Sequence, residues 1–395
     1  MSLTGAVYIG QSGMDAYTQG LQTISNNVAN LNTIGYKALT APFVDIFSQA
    51  AGDSELGSTD GDVGEGVQFG QSQIDFSQGT LEQTDGQMDL AIQGSGFLVL
   101  EDGSQTLYTR SGSFEVGSNG VIVEDGTEDA LGVLNSSGEV EPLNVSGLET
   151  DPAAATTSIT FANNLSSSAT TDTISNVQVF DSTGAEHTWT ITFTADTTTP
   201  GTWNVSVTDE TGATVGTGTI SFTGSTISPT ADSLTINTTY GSADPLSVAL
   251  DFSGVTSFSS GTSSTLEASK VDGNGAGTLS GVTVNSSGQV ELTFSNNQTQ
   301  TEGSVALANF LSPGQLKESS NGTFQNTAGA PSTISSSGQN GIGTLVPQEL
   351  ETSNVNLTQE FSDLILIQRG FQASSEVVSV ANDMIQQLFD IRGQA

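Results

Sequence analysis

The chain has no cysteine among its 395 residues, and it carries only six lysines and arginines against 43 acidic residues. Without cysteine neither a disulfide framework nor a thiolate metal site is possible, so stability must come from packing or assembly. The formal net charge of −37 lies mostly on residues 51–350. Such a surface does not attract phosphates, which argues against nucleic-acid or anionic-membrane binding.

Long apolar runs and catalytic motifs are also missing. No run reaches membrane-spanning length, and the N-terminus lacks the basic and apolar regions of a secretory signal. The single histidine, His187, has no nucleophile or base partner nearby in sequence, and no Walker loop or zinc motif occurs. Gly94-Ser-Gly96 lacks the following helix and lysine of a phosphate loop and indicates a turn into a strand. We therefore expect no enzyme and no cofactor.

The acidic segment 51–66 is the one candidate for a cation site. Its carboxylates do not have the spacing of a twelve-residue EF-hand loop, so a solvated linker is the simpler interpretation and we expect no metal site. Glycine-rich segments near 51–66 and 338–343 are expected to act as joints between domains.

A helical seam occupies the first part of the chain. Its positions recur at alternating spacings of four and three, the pattern of a helix that packs lengthwise on another. Gly5, Gly13 and Gly20 lie between these positions and lower helix propensity, so the isolated segment should be marginal in water and need a partner. The seam consists of Leu3, Val7, Gly10, Met14, Tyr17, Leu21, Ile24, Val28 and Leu31.

The C-terminal stretch is the natural partner of this seam. Its apolar face is wider than one seam, which indicates more than one neighbour. Asn356 is the expected N-cap of the helix, and Gly393 is the expected stop signal. The positions expected to serve in packing and subunit assembly are Leu357, Phe361, Leu364, Ile367, Phe371, Val377, Ala381, Met384 and Leu388.

Short strands joined by polar turns fill the middle of the chain. The segment 187–194 alternates strictly between threonine and large apolar residues, with Trp189, Ile191 and Phe193 on one face, and it predicts the central strand of an antiparallel meander. The fold class expected is multidomain and mainly β, with nested inner and outer β domains and terminal α-helices that pair as a coiled-coil-like axial core. The expected boundaries are helices at 1–33 and 354–395, a linker at 34–70, an inner β domain at 71–148 and 270–353, and an inserted outer β domain at 149–269.

Several blocks resemble known proteins. The segment Ile24–Lys37 resembles the N-terminal signature of the axial proteins of the bacterial flagellum, which form its rod and hook. Segments 79–84, 96–100 and 108–114 look like later blocks of the same proteins, and 350–357 with 368–373 resembles their C-terminal signature. Blocks at 181–188, 251–256, 305–310 and 338–343 are similar to the middle of the hook proteins. The residues that carry the terminal signatures are Asn27, Asn30, Gly35, Tyr36, Asn354, Gln368 and Arg369.

This resemblance implies a structural subunit that polymerises with itself into the flexible, curved tube joining motor to filament. Expected partners are the distal rod protein, the hook cap, the hook–filament junction proteins and the flagellar type III export apparatus. The expected location is the hook and basal body at the cell exterior, reached without a cleavable signal peptide. A distal rod or hook-associated protein is the alternative, against which the large insertion counts. An acidic extracellular adhesin is more distant, because adhesins seldom need amphipathic helices at both ends.

Overall fold

The computed structural model describes residues 3–40, 42–46, 66–103, 105–241, 243–319 and 321–393. The chain forms two compact units, the first comprising 1–146, 282–291 and 301–395 and the second 147–281 and 292–300. The second unit contains the expected insertion 149–269 and also includes 270–281 and 292–300, which were predicted to belong to the inner domain. The boundary lies later because Lys270 and Val271 pair with Thr160 and Ile159 in the sheet of the second unit.

Two long helices belong to the first unit. Helix α1 spans Leu3–Ala29 and helix α2 spans Leu357–Gly393. The predicted N-cap of α2 is confirmed, since Asn356 Oδ1 accepts hydrogen bonds from the backbone N–H groups of Thr358 at 3.0 Å and Gln359 at 3.3 Å. No helix in the described part of the chain combines the length and hydropathy needed to cross a membrane.

Short strands make up the rest of the first unit. Before the second unit they are β1 Leu39–Thr40, β2 Phe43–Asp45, β3 Val67–Phe69, β4 Gln73–Ile74, β5 Leu81–Gln83, β6 Asp89–Gln93, β7 Phe97–Asp102, β8 Gln105–Thr109, β9 Ser111–Val116, β10 Ile122–Glu124, β11 Ala130–Leu134 and β12 Val140–Pro142.

The second unit follows in chain order. Its strands are β13 Thr150–Asp151, β14 Ser158–Asn164, β15 Thr171–Phe180, β16 Glu186–Ala195, β17 Thr202–Thr208, β18 Thr214–Thr223, β19 Thr226–Ile227, β20 Ser233–Thr238, β21 Leu246–Thr256 and β22 Glu267–Val271. Strands β23 Gly277–Val284, β24 Gln289–Phe294 and β25 Thr299–Val305 carry the chain across the boundary. The first unit is completed by β26 Leu307–Phe310, a 3₁₀ turn at Pro313–Gln315, β27 Lys317–Glu318, β28 Phe324–Gln325, β29 Ser332–Ser335, β30 Thr344–Pro347 and β31 Glu349–Glu351.

An antiparallel sheet and an aromatic cluster form the body of the first unit. In the sheet β11, β10, β9, β6 and β30 follow one another, and β7 pairs with β8, β11 and β26. On strands of the same sheet Phe97, Tyr108, Phe310 and Phe324 are buried. Their rings and that of Phe76 meet edge to face, the arrangement that aromatic quadrupoles favour.

The second unit confirms the predicted meander. Strands β15, β16 and β17 pair antiparallel, and Trp189, Ile191 and Phe193 lie fully buried on one face of β16. The sheet continues through β18, β19, β21, β14 and β22, with β14 and β21 parallel. Threonines alternate with these apolar residues along β16, so the period-2 pattern corresponds to one buried face and one more accessible face.

The glycine-rich segment 338–343 is a packed turn in the first unit. The backbone N–H of Gly343 donates to Ser95 O at 2.6 Å, and that of Gly338 donates to Gly343 O at 3.0 Å. A Cβ atom at Gly343 would lie 2.3 Å from Gln93 O. The glycine therefore allows close backbone packing here rather than the joint expected from the sequence. The other expected joint, 51–66, lies outside the described residues except for Gly66.

Candidate functional site: the terminal helices and their junction with the sheet

The pairing of α1 with α2 depends on glycine. A Cβ atom added at Gly10 or Gly13 would lie 2.6 Å from Val378 Cγ2 or Ser374 Oγ, and one at Gly20 would lie 2.7 Å from Ile367 Cδ1. These distances are shorter than van der Waals contact, so only glycine lets the two helices approach this closely. Gly370 of α2 plays the same part against the ring of Tyr17.

This contact face is displaced from the heptad seam that the sequence predicts for α1. Of that seam, Ile24 and Gly10 are buried and Tyr17 contacts Gly370, whereas Leu21 is exposed. Val7, Met14, Val28 and Leu31 are half-buried, and the side chain of Leu3 lies outside the described part. The spacing of apolar residues did not predict this face of α1, because its closest contacts with α2 are made by glycines. The buried face runs through Gly10, Gly13, Ala16, Gly20, Ile24 and Asn27.

The apolar face of α2 is largely uncovered in a single chain. Of the predicted positions only Ile367 and Ala381 are buried, and Leu364 is half-buried. So many exposed large apolar side chains on one helix are unusual on a solitary soluble protein and mark an interaction surface. The exposed positions on α2 are Leu357, Phe361, Ile365, Leu366, Phe371, Val377, Val380, Met384, Leu388, Phe389 and Ile391.

A small hairpin of β2 and β3 lies against α1. Phe43 packs between Tyr17 and Phe69, with ring centroids 5.2 Å and 5.7 Å away. The backbone N–H of Val67 donates to Ser12 Oγ at 3.3 Å. The hairpin therefore continues the apolar surface of the helix pair on one side.

The turn after α1 joins the helices to the sheet. Gly35 has φ of +69°, a left-handed conformation in which a side chain is strained, and its N–H donates to Glu351 O at 2.7 Å. Tyr36 is buried and its hydroxyl donates to Asn27 Oδ1 at 3.1 Å. Burial, assisted by the charge of Glu318, raises the pKa of Tyr36 to about 12, so the hydroxyl keeps its proton at neutral pH.

Two asparagines connect three parts of the chain at this junction. Asn27, in α1, donates from Nδ2 to Leu39 O and to Glu360 Oε1 of α2, both at 2.9 Å, while Oδ1 accepts from Leu39 N at 2.9 Å. Asn354, just before α2, accepts from Ala38 N at 2.7 Å and donates to the carbonyl oxygens of Asp75 and Ser77. Asn27 is buried and Asn354 is half-buried, and amides that are hydrogen-bonded through both their oxygen and their nitrogen hold their neighbours in one arrangement.

A buried ion triad lies beside them. Glu351 Oε1 is 2.7 Å from Lys37 Nζ, and Glu351 Oε2 is 3.2 Å from Arg110 Nε. Each of the three side chains is at most 4% exposed. The triad thus uses two of only six basic residues and ties the turn after α1, the sheet and the strand before α2 to one point.

The triad is fully hydrogen-bonded. Lys37 Nζ also donates to Ser77 O at 2.8 Å, and the N–H of Gly79 donates to Glu351 Oε1 at 2.6 Å. The guanidinium of Arg110 donates to the carbonyl oxygens of Gly94 and Gly96, so the turn at this segment presents its carbonyl oxygens to a cation. Burial lowers the pKa of Lys37, and the adjacent carboxylate of Glu351 opposes that change.

Beside the turn after α1 the first unit has a polar cavity of about 660 Å³, lined in part by Asn30, Tyr36, Glu124 and Glu318. Glu124 Oε2 is shielded from solvent and has no hydrogen-bond partner. Burial, assisted by the charge of Asp129, raises the pKa of Glu124 to about 7. Asn30 caps the end of α1 by donating to Asn26 O at 3.0 Å.

The histidine of the chain does not line this cavity. His187 lies in the second unit, stacked on Tyr240 and 3.3 Å from Asp181 Oδ2. Among the described residues no group of three or more histidine and acidic side chains could hold a metal ion. The acidic segment 51–65 lies outside them. The arrangement at the junction is one that can bind helices to a sheet and present them to other molecules.

The predicted signature residues divide between these two surfaces. Asn27, Asn30, Gly35, Tyr36 and Asn354 come together at the junction, whereas Gln368 and Arg369 lie exposed on α2. Sequence reasoning missed Lys37, Arg110 and Glu351 as a group. One sequence feature could have indicated this group. The chain has only six basic residues, and two of them, Lys37 and Arg110, lie within the signature blocks.

Four family models match the chain in order. They are the flagella basal body rod protein at residues 7–37, the flagellar hook protein FlgE/F/G D1 domain at 91–166, the flagellar basal body protein FlaE D2 domain at 134–275, and the flagellar basal body rod FlgEFG protein C-terminal at 346–391. The first, second and fourth each supply one member of the triad. The chain belongs to the flagellar hook protein family. Within that family the D2 match falls largely on the second unit and the two terminal matches fall on the helices.

Curated relatives agree along the whole length. The flagellar hook protein FlgE of Treponema pallidum is 29% identical over 98% of this chain and 99% of its own. Those of Borreliella burgdorferi and Escherichia coli are 26% and 28% identical, over 98% and 96% of this chain and 99% and 98% of their own. The crystal structure of Helicobacter pylori flagellar hook protein FlgE2 has a TM-score of 0.51 and 11% identity, covering 69% of this chain and all of that one, and shows a shared fold.

Proposed function

We propose that this chain is the structural subunit of a bacterial flagellar hook and polymerises with itself into a flexible, curved tube that couples the motor to the filament. The observation that carries this proposal is the uncovered apolar face of α2, which one copy cannot bury. Because α1 already occupies the opposite side of α2, additional copies are the natural cover. Contacts between different patches on identical subunits generate open helical polymers.

The junction supplies the second requirement of a coupling, which is transmission of torque. The triad and the two asparagines bind both helices to the sheet of the first unit, so a force on the helices reaches that sheet through these contacts. The polymer must also bend. Polar, wet contacts between outer β regions can exchange at small cost, and we assign that compliance to the second unit, whose surface is rich in threonine and serine.

Distal rod protein, hook cap, hook–filament junction proteins and the flagellar type III apparatus are the partners that we propose on family grounds. Helices of low intrinsic propensity favour passage through a narrow export channel as an unfolded chain. A distal rod or hook-associated role remains the second candidate. The match of the D2 model to 134–275 favours the hook.

Electron microscopy of the purified protein tests the proposal. The intact chain is expected to form tubes on concentration in kosmotropic salt, which strengthens apolar burial. A variant lacking 1–31 and 357–395 should stay monomeric while its β units remain folded. Straight rigid rods would favour the alternative role, and absence of any polymer from the intact chain would contradict the proposal.

A further inference from the structure

The two helices of the pair do not have the same length. Gly10 faces Val378, Gly13 faces Ser374 and Gly20 faces Ile367, so the helices run antiparallel and the register places Leu3, where α1 begins, near residue 384. Residues 385–393 of α2 extend beyond α1 by roughly 13 Å at 1.5 Å per residue. We call this segment the overhang.

The overhang is apolar and uncovered. Leu388, Phe389 and Ile391 are 55%, 67% and 70% exposed. The stripe of α2 that faces α1 passes through Ser374, Val378, Ala381 and the half-buried Ile385, and its next position is Leu388. The intramolecular contact face therefore continues past Leu3, the first described residue of α1, with no described part of α1 opposite it.

At the other end of the helix pair lies a largely apolar groove of about 320 Å³. Its apolar part is formed by Ile24 of α1, Leu39 of β1, Phe43 and Phe69 of the hairpin, and Leu366 and Ile367 of α2, and the rest of its lining comes from Gly20, Thr23, Asn27, Thr40, Glu360 and Asp363. Leu366 on its rim is 68% exposed and Phe43 is 43% exposed. At about 30 Å³ per water molecule the groove has room for a few large side chains, but not for a whole helix.

We infer that the overhang of one copy docks in this groove on the next copy, placing Leu388 and Phe389 against Leu366 and Phe43. The two patches lie at opposite ends of one helix pair and differ in shape, so the contact is heterologous and repeats without closing. It buries the part of the α1-facing stripe that one molecule leaves bare. The inference rests on the proposed function, because it names the contact by which copies stack along the polymer.

Cysteine pairs test this contact against a background free of native cysteine. Leu366 and Leu388 are 22 residues apart on one straight helix, roughly 33 Å, whereas a disulfide needs Cα atoms within about 7 Å. A bond between the two positions must therefore join different copies. Mild oxidation of polymer formed by the Leu366→Cys, Leu388→Cys double variant should give a ladder of linked chains on non-reducing gels.

Single variants complete the test. After oxidation, polymer of either single-cysteine variant should give only unlinked chains on the gel. Polymer formed from a mixture of the two single variants should give linked dimers and no longer species. This mixture also tests the contact if the double variant polymerises poorly. A Leu311→Cys, Leu388→Cys pair is the matched control, because Leu311 is 87% exposed but lies away from the groove, and it should not form a ladder. Tubes without the ladder, or dimers from either single variant, would overturn this inference alone. Failure of the wild-type chain to form tubes would overturn the proposed function as well.

Discussion

At the residue scale the molecule buries two of its six basic side chains. Lys37 and Arg110 surround Glu351 with almost no solvent contact, although the chain as a whole is strongly acidic. Buried ion pairs add little net stability, but removing one partner strands the others without compensation. The triad is therefore better understood as a device that fixes geometry than as a source of stability.

We expect Glu351→Ala to lower the free energy of unfolding of the first unit by about 3–5 kcal/mol, because two cations then stay buried without a counter-charge. Glu349→Ala, two residues earlier on β31 and only half-buried, is the matched control and should cost under about 1 kcal/mol. Urea unfolding, monitored by hydrogen exchange of amides in β7 and β9, measures the free energy of unfolding of both variants. Equal losses in the two variants would show that the triad has no special role.

Glu124 should make the first unit sensitive to pH. Its folded pKa of about 7 lies above the ordinary value of 4.5, so between these values the folded protein binds more protons than the unfolded chain. The free energy of unfolding should therefore fall as the pH rises through this window. Glu124→Gln should remove that fall and be more stable than wild type at pH 8 by about 3 kcal/mol.

The check is the urea midpoint of both proteins at pH 5 and pH 8, followed by hydrogen exchange in β9 and β10. Asp125→Asn is the control, because Asp125 is exposed and should leave the pH profile unchanged. If Glu124→Gln and wild type show the same profile, the carboxyl is not held in the shielded setting described above.

At the element scale the sequence predicted which helices and strands form better than it predicted the residues through which they contact one another. The alternation of threonine with Trp189, Ile191 and Phe193 gave the central strand of the second unit, since a half-buried strand imposes period 2. Both terminal helices follow from apolar periodicity of three and four. The face of α1 could not be found that way, because its closest contacts are made by residues without side chains. The triad could not be predicted because its members lie far apart in the sequence: 314 residues separate Glu351 from Lys37, and 241 separate it from Arg110.

Gly13→Ala separates helix propensity from packing. Propensity alone would stabilise α1 by about 1 kcal/mol, but the added methyl group would meet Ser374 Oγ at 2.6 Å, and overpacking costs about 1–3 kcal/mol. We expect the net effect to lower the temperature at which polymer dissociates. Thr18→Ala, at an exposed position of the same helix, should leave that temperature unchanged or raise it. A rise for Gly13→Ala would mean that the helices do not pack closely here.

At the scale of the whole molecule the chain combines two nearly neutral ends, whose helices expose apolar side chains, with a strongly acidic middle. Acid on the middle part keeps free copies apart at low salt, while the helices supply the attraction that assembly needs. The nested order of helix, inner strands, insertion, inner strands and helix was predictable because composition changes at each boundary. The position of the later boundary was not, since β22 joins the second unit through tertiary contacts, by pairing with β14 and by packing Ala268 and Val271 on the core of that unit.

The central claim is that further copies cover the apolar face that α2 exposes in one chain, and we expect this cover to be what stably orders the distal parts of α1 and α2. Hydrogen exchange on dilute chains and on polymer tests it most directly. In the dilute chain, amides of 3–20 and 370–391 should exchange within about tenfold of an unstructured peptide while β7 and β16 stay protected, and polymer should slow the helices by about a hundredfold or more. Equal, strong protection of both helices in the dilute chain and in the polymer would contradict the account.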